Sequence, residues 1–334
     1  MAGAAVERAV TLADRLRARI EADGPMPFEA WMEACLYDPE DGYYMQSRQK
    51  TGTAMDADFA TSPKLHPFLA QCVAREAEAL WEALDRPEGF QVAEFGGGEG
   101  DLARDAQAWL ATHSQLRCPW LHVEISPDHR SKQDGTHADA LPSDFVGLVV
   151  AHEFVDALPF QVLQRTESGW ASLHVGDGEV WQPVAFDGPP VRAGTRLEWM
   201  HRASGWLQDV GRAMQQGAVL VIDYGREGPS ADSLRTFAKQ QDAGSPLEGP
   251  GTKDITANVD FQQLRAWAEA AGFVAPESVS QEEWLLEHGI LDELNRIGRE
   301  DLDDASSYLR LRQLLLPTAM GQAFRVARFG KRTG

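Results

Sequence analysis

Short apolar runs alternate with amphipathic stretches through the middle of the chain. The predicted strands are 91–95, 120–124, 146–151 and 218–223. The predicted helices are 102–111, about 128–134, and 197–215. Strands that alternate with helices in this way predict an α/β fold, a mostly parallel sheet with helices on both of its faces.

The first part of the chain has a different pattern of apolar and polar residues. Apolar residues at helical spacing predict a helix that begins near Val6 and stops before Gly24-Pro25. Residues 27–63 are rich in aromatic and turn-forming residues without a clear period, and a second helix is predicted at about 64–85. We therefore divide the chain into an N-terminal helical and aromatic segment, 1–88, and a main domain, 89–334.

Two departures from the alternating pattern follow. Short strand-like runs separated by Ser168-Gly169 and Gly176-Asp177-Gly178 predict an antiparallel insertion at about 160–200. Loop-rich and helical elements are expected at about 225–316, followed by a last strand at 324–329. Within them, Asp260 with Gln263 three residues later is typical of a helix N-cap.

Composition narrows the class of protein. The chain has 334 residues, of which 43% are hydrophobic and 25% charged, and its apolar runs are strand-sized. They are far shorter than the roughly 18 residues of a membrane-spanning helix, so no membrane association is predicted. The net charge of −20 disfavours nucleic acid and would attract a basic partner. Alternatively, the acidity serves only solubility.

The cysteines and the start of the chain bear on location. Cys35, Cys72 and Cys118 are scattered, which argues against a disulfide framework or a zinc ribbon. Residues 1–21 contain acidic residues and no long apolar run, so neither a secretory signal nor an acid-free transit peptide is recognised. These observations predict a cytoplasmic protein.

The strongest chemical signal is the segment Glu94-Phe95-Gly96-Gly97-Gly98-Glu99-Gly100. It follows a predicted strand and opens a helix, where Gly96, Gly98 and Gly100 would let a ligand approach the bare backbone. A dinucleotide site would need Gly or Ala at position 101, which is Asp. The pattern E-x-G-x-G-x-G is instead typical of class I methyltransferases that use S-adenosylmethionine (SAM). The alternative is a plain strand-to-helix turn.

Three acidic residues extend this hypothesis. Glu124 ends the next predicted strand, where a carboxylate can accept the ribose hydroxyls of a nucleoside. Glu94 is a candidate for the ammonium group of the SAM methionine moiety. Asp139 lies either near the adenine edge or simply on the surface.

Carboxylates also follow the strands 146–151 and 218–223, whose carboxyl ends should meet at one edge of the sheet. The first strand leads into His152-Glu153-Phe154-Val155-Asp156 and the second into Asp223. His-Glu-x-x-Asp differs from a zinc-binding H-E-x-x-H helix, so no metal is predicted. We interpret Glu153 and Asp156 as candidate catalytic residues that bind a cationic acceptor, although either could cap the following turn.

Motifs along nearly the whole chain resemble the MidA-type SAM-dependent methyltransferases. The matching stretches are Leu36-Tyr37-Asp38-Pro39, Asp58-Phe59-Ala60-Thr61-Ser62-Pro63, the glycine segment, Val123-Glu124-Ile125-Ser126-Pro127, Asp156-Ala157-Leu158-Pro159, Ile222-Asp223-Tyr224-Gly225 and Asp254-Ile255-Thr256-Ala257. The glycine segment is shared by many methyltransferases, whereas the Asp-Ala-Leu-Pro and Asp-Ile-Thr-Ala stretches in this order are more specific.

The resemblance implies a class I, Rossmann-like methyltransferase fold with SAM as the methyl donor. By analogy with the family's mitochondrial complex I assembly factor, it implies a protein arginine as acceptor. Matched by position, Gly96, Gly98, Gly100 and Glu124 would bind SAM, and Asp58, Thr61 and Ser62 would belong to a segment that closes over it. A SAM-binding assembly factor with little turnover and a small-molecule methyltransferase remain alternatives, and the oligomeric state is open.

Overall fold

The computed structural model describes residues 10–46, 66–238, 241–300, 305–316 and 320–332. The helices are α1 Leu12–Asp23, α2 Phe28–Tyr37, α3 Phe68–Ala83, α4 Asp101–His113, α5 Pro127–Arg130, α6 Arg202–Ala213, α7 Phe261–Ala270, α8 Gln281–Glu287, α9 Ile290–Glu300 and α10 Ala305–Leu315. The strands are β1 Met26–Pro27, β2 Gln91–Phe95, β3 Trp120–Val123, β4 Thr136–Ala138, β5 Phe145–His152, β6 Gln161–Thr166, β7 Gly169–Gly176, β8 Gly178–Val184, β9 Arg196–Trp199, β10 Met214–Arg226, β11 Arg235–Ala238, β12 Gln241–Asp242, β13 Asp254–Thr256, β14 Val259–Asp260, β15 Phe273–Val274, β16 Val279–Ser280 and β17 Phe324–Lys331.

The central sheet has the strand order β15-β17-β10-β5-β2-β3-β4. The strands from β10 to β4 pair in parallel, and the terminal strand β17 is antiparallel to β10. The chain order of the strands reverses at β2, which lies between β3 and β5. In open α/β sheets a ligand site forms at such a point, beyond the carboxyl ends of the strands. The predicted, mostly parallel α/β sheet is confirmed.

Both faces of this sheet are buried, each in its own core. Because alternate side chains of a strand point in opposite directions, neighbouring residues enter different cores. Val149 and Val219 belong to the core on one face, which also contains Phe28 of α2. Leu148 and Leu220 belong to the core on the other face, with residues of α3 and α4. Strands covered on both sides read as continuous apolar runs, which is why the sequence located them well.

The predicted antiparallel insertion is also confirmed. Strands β6 to β9 form an antiparallel sheet to which β1 adds, with Met26 opposite Val175. The sequence analysis missed β1, whose partner β7 lies far along the chain. It also missed α2, although the buried residues of this helix recur at helical spacing, namely Phe28, Trp31, Met32, Cys35 and Leu36. The helix predicted at 197–215 begins only at Arg202, since residues 196–199 pair with β6 as strand β9.

Other elements depart from their predicted limits. The helix expected at 128–134 is the short α5, and the edge strand β4 follows it. The loop region after β10 contains β11, β12 and β13, which pair with each other. The N-cap at Asp260 is confirmed, since its Oδ1 accepts the backbone N–H of Gln263 over 3.0 Å. No helix in the described ranges has the length and apolar character needed to cross a membrane.

Candidate active site

The glycine segment forms the turn between β2 and α4. Gly96, Gly98 and Gly100 have φ values of 66°, 55° and 80°, in the left-handed region that favours glycine. At Gly97 a Cβ atom would lie 2.7 Å from Cδ of Glu94. The turn therefore excludes side chains for local reasons and presents its backbone to the crevice at the switch point.

Glu94 lies in β2 beneath this turn and is 2% exposed. Its Oε2 accepts a hydrogen bond from Nε1 of Trp120 over 2.9 Å and lies 3.5 Å from Nδ1 of His122. Burial raises the pKa of this carboxyl to about 7. Glu94 can thus exchange a proton near neutrality, and a nearby cation would favour its charged form.

Glu124 follows β3 and faces the glycine turn. Its Oε2 accepts the backbone N–H of Gly98 over 3.3 Å, and its Oε1 accepts the backbone N–H of Ser126 over 2.8 Å. A carboxylate has about four acceptor sites, so these bonds orient Glu124 and leave capacity for hydroxyl groups. This arrangement suits the ribose of a nucleoside.

Asp139 lies at the end of the crevice that is bordered by Ile125 and Ala138. Its side chain is 92% exposed and pairs with Nη2 of Arg130 at 2.6 Å. Arg130 also donates to the carbonyl oxygens of Glu124 and Ala138. The Asp139 carboxylate is therefore bound to Arg130, and it borders the ligand space from its solvent side.

One cavity of about 560 Å³ joins these groups. Its lining includes Glu94, the turn 96–99, Glu124, Asp139, Glu153 and Phe154. A volume between about 300 and 1,000 Å³ is typical of sites for cofactors and small molecules. The bare glycine turn, the oriented carboxylate of Glu124 and this volume fit a nucleoside cofactor such as SAM.

Glu153 lies directly beyond β5 and lines the cavity. It adopts a φ of 49°, which is uncommon for a residue other than glycine. Its Oε1 lies 3.5 Å from Nε2 of His152, and burial lowers the pKa of His152 to about 3. The imidazole is therefore neutral beside the carboxylate of Glu153.

Asp156 is placed differently from Glu153. It is 6% exposed, its Oδ2 accepts a hydrogen bond from Oγ1 of Thr256 over 2.6 Å, and it is not among the described residues that line the cavity. Burial raises the pKa of Asp156 to about 6, and burial next to Asp156 holds the pKa of Asp223 well above its usual value. The structure thus places Glu153 at the cavity and Asp156 behind it.

Asp223 has a role that the sequence did not reveal. Its Oδ2 accepts the backbone N–H groups of Phe154, Val155 and Asp156 over 3.2, 2.9 and 3.3 Å. These three bonds tie the loop after β5 to β10. The sequence signals were the position of Asp223 at the carboxyl end of a parallel strand and its place in the family-like stretch Ile222-Asp223-Tyr224-Gly225.

Two tyrosines form a wall of the cavity. Tyr37 and Tyr44 stack with ring centroids 5.6 Å apart. The hydroxyl of Tyr37 donates to the carbonyl oxygen of Ala157 over 2.9 Å, and that of Tyr44 donates to Oδ1 of Asp254 over 2.8 Å. Asp254 therefore supports this wall from behind, and the Asp-Ile-Thr-Ala stretch lies close to the cavity.

Some predicted features cannot be placed. Asp58, Thr61 and Ser62 lie outside the described residues. Within the described ranges, no group of three or more His, Cys, Asp or Glu side chains is arranged to hold a metal ion.

Comparisons with known proteins agree with this geometry. Residues 72–279 match the family model described as "Putative S-adenosyl-L-methionine-dependent methyltransferase". A Drosophila melanogaster protein named protein arginine methyltransferase NDUFAF7 homolog, mitochondrial, is 31% identical over 79% of this chain and 71% of its own length. The Homo sapiens protein arginine methyltransferase NDUFAF7, mitochondrial, is 26% identical over 92% of this chain and 80% of its own length.

A solved structure is similar over nearly the whole fold. The crystal structure of a Burkholderia thailandensis protein bound to S-adenosyl-homocysteine superimposes with a TM-score of 0.86 at 29% identity. The match covers 96% of this chain and 92% of that chain.

One prediction is wrong in the light of these comparisons. The cytoplasmic location expected from the sequence conflicts with the curated relatives, which are mitochondrial proteins. That expectation rested on the scattered cysteines and on the acidic residues among the first 21, and neither feature determines where the protein works. The fold, the site and the family match all agree on the class of protein, and the chain belongs to the MidA-type family of SAM-dependent methyltransferases.

Proposed function

We propose that this methyltransferase transfers the methyl group of SAM to an arginine side chain of a protein. The observation that carries the proposal is the acidic lining of the cavity. Of the described residues that line it, seven carry carboxyl groups and two are arginines, namely Glu33, Glu94, Glu99, Asp101, Glu124, Asp139 and Glu153 against Arg130 and Arg202. Such a surface attracts a cationic acceptor. The names of the relatives, which are protein arginine methyltransferases, support the same acceptor.

SAM, when bound, supplies an electrophilic methyl group on a sulfonium. Gly96 and Gly98 would present their backbone to it, while Gly100 closes the turn through its N–H bond to the carbonyl oxygen of Gly97. Glu124 would accept the ribose hydroxyls, and Glu94 would face the ammonium group. Asp139 would border the adenine from the solvent side. From the family resemblance, Asp58, Thr61 and Ser62 would belong to the part of the segment 1–88 that closes over the cofactor.

Glu153 is the residue that would bind and activate the arginine side chain of the acceptor. A guanidinium has a pKa above about 12, so it is charged and a poor nucleophile. The carboxylate of Glu153 would pair with it, draw its positive charge away from the attacking nitrogen and fix its orientation for in-line transfer. Asp156 would act from behind, as part of the loop that is hydrogen-bonded to Asp223 of β10.

The reaction also needs a group that accepts a proton. A new N–C bond forms while the S–C bond breaks, the thioether leaves uncharged, and the methylated guanidinium must release one proton. The carboxylate of Glu153, which lines the cavity, can take this proton. His152 does not act as a second base, because burial lowers the pKa of its imidazole to about 3.

The test uses SAM that carries a labelled methyl group. The purified protein is incubated with a lysate and, separately, with Arg-rich peptides whose Arg-to-Lys versions serve as controls. Acid hydrolysis of labelled protein is expected to release methylarginines, and the Lys peptides should stay unlabelled. Label only in the low-mass fraction would overturn the proposal in favour of a small-molecule acceptor. Binding of SAM with no labelled product would overturn it in favour of a client-binding factor.

A further inference from the structure

A triad of charged side chains lies at one wall of the cavity. Nε of Arg202, on α6, donates to Oε1 of Glu29 over 2.6 Å. Nη1 and Nη2 of Arg202 donate to the two carboxylate oxygens of Glu33 over 3.2 and 2.8 Å. Glu29 and Glu33 lie one helical turn apart on α2, so this helix presents both carboxylates to the same guanidinium.

Arg202 and Glu33 both line the cavity. The side chain of Arg202 is 35% exposed, and Arg202 lies close enough to Tyr37 to lower the pKa of its hydroxyl, although burial dominates and raises that pKa overall. The guanidinium is therefore at the wall that the stacked tyrosines form, within reach of a ligand.

The guanidinium of Arg202 still has N–H groups with which it can bind a ligand. A guanidinium has five N–H groups, and its partners in the described part of the chain engage three of them. Bidentate pairing with Glu33 fixes the plane of the group. Two N–H groups thus remain on a cation whose orientation is already set.

The second arginine among the described lining residues is Arg130, and its guanidinium already has hydrogen-bond partners. Arg130 donates to the carbonyl oxygens of Glu124 and Ala138 and to the carboxylate of Asp139. All three lie on the side assigned to the ribose and adenine. Among the described lining residues, Arg202 is therefore the cation available to the other half of the cofactor.

That other half is a methionine moiety, which carries a carboxylate and an ammonium group on one carbon. We infer that Arg202 binds this carboxylate through its remaining N–H groups, while Glu29 and Glu33 position the guanidinium. The acidic surroundings suit the ammonium group of the same zwitterion, so the net negative charge of the triad does not repel the ligand as a whole. The inference rests on the proposed placement of SAM in this cavity.

The test compares two ligands that differ only in the amino-acid part. S-adenosyl-homocysteine contains it, whereas 5′-methylthioadenosine lacks it. Calorimetric titration of Arg202→Gln should show an affinity for S-adenosyl-homocysteine about tenfold or more below wild type, since a charge-assisted hydrogen bond is lost. The affinity for methylthioadenosine should stay within about twofold, which also shows that the site is folded.

Two further variants test whether the effect is specific to the Arg202 triad. Glu33→Gln should weaken only S-adenosyl-homocysteine, by a smaller factor, because it loosens the guanidinium without removing it. Arg196, which pairs with Glu179 at 2.8 Å on the insertion, is the matched control, and Arg196→Gln should change neither affinity. An equal loss of both ligands in Arg202→Gln, or no loss of either, would overturn the role of Arg202.

One more variant separates this inference from the placement on which it rests. Glu124→Gln should weaken both ligands, because both contain the ribose. If Glu124→Gln changes neither affinity, the placement of the cofactor is wrong. If Glu124→Gln weakens both and Arg202→Gln changes neither, the placement stands and the role of Arg202 is wrong.

Discussion

The backbone N–H of Gly98 donates to the carboxylate of Glu124 over 3.3 Å. The two residues follow neighbouring parallel strands and were predicted separately as cofactor contacts. Their bond fixes the Glu124 carboxylate relative to the bare backbone of the glycine turn. A preformed site of this kind costs little ordering entropy when a ligand binds.

This relationship predicts the effect of a side chain at position 98. A Cβ on Gly98 would meet no atom of the described residues within 4 Å, so a methyl group in Gly98→Ala would enter ligand space. We expect the affinity for SAM, measured by calorimetry, to fall about tenfold or more, with a stability loss of only about 1–2 kcal/mol from the positive φ. Gly178→Ala, at a φ of 91° and also without a neighbour, is the control. Equal affinities in both variants would contradict the cofactor role of the turn.

Glu153 is expected to act on turnover and not on cofactor binding. Glu153→Gln keeps the shape of the side chain and removes the charge that pairs with a guanidinium. Steady-state methyl transfer should fall about tenfold or more, while the affinity for S-adenosyl-homocysteine stays nearly unchanged. Glu287→Gln, at an exposed position, is the control and should change neither turnover nor affinity. A parallel loss of turnover and affinity would instead make Glu153 a cofactor-binding or folding residue.

Asp223 should matter for both stability and turnover. Asp223→Ala removes the acceptor of three backbone N–H groups in the loop that carries Glu153. Leaving buried donors unpaired is expected to lower the free energy of unfolding by about 3 kcal/mol, as measured in urea. Turnover should fall even under conditions where the variant is folded. Asp139→Ala, whose side chain is 92% exposed, should change stability by less than about 0.5 kcal/mol. Similar losses of stability in both variants would argue against this role of Asp223.

The pKa of Glu94 predicts a pH dependence of stability. Burial raises this pKa from 4.5 to about 7, so the folded protein holds a proton that the unfolded chain has lost. The stabilisation is complete below about pH 4.5 and is lost as the pH rises through about 7. Relative to Glu94→Gln, which cannot ionise, the unfolding free energy of the wild type should fall by about 3 kcal/mol over this range. Parallel urea curves for the two proteins at every pH would refute the raised pKa.

The sequence located the elements whose cause is local. The strands at 146–151 and 218–222 are apolar because both of their faces are covered, and the glycine turn needs backbone conformations that other residues avoid. The cap at Asp260 depends on one hydrogen bond over three residues. In each case the physical cause lies within a few residues of the pattern that it produces.

The wall of the cavity that contains Tyr37, Tyr44 and Arg202 could not be predicted from local patterns in the sequence. Glu33 and Arg202 are 169 residues apart, and Tyr44 and Asp254 are 210 residues apart. Likewise, Glu153 and Asp156 stand three residues apart and looked equivalent, yet only Glu153 lines the cavity. Which way a loop side chain turns depends on partners such as Asp223 and Thr256, which come from other strands.

The amino-acid sequence by itself determined the class of fold, the glycine turn and the carboxylate beyond the next strand, because hydrophobic period and backbone conformation are properties of neighbouring residues. Only the tertiary structure decided which acidic groups share the cavity, which are buried behind it and where a guanidinium is held in place. Those outcomes depend on long-range packing, which sets the burial and hydrogen bonds of each charge.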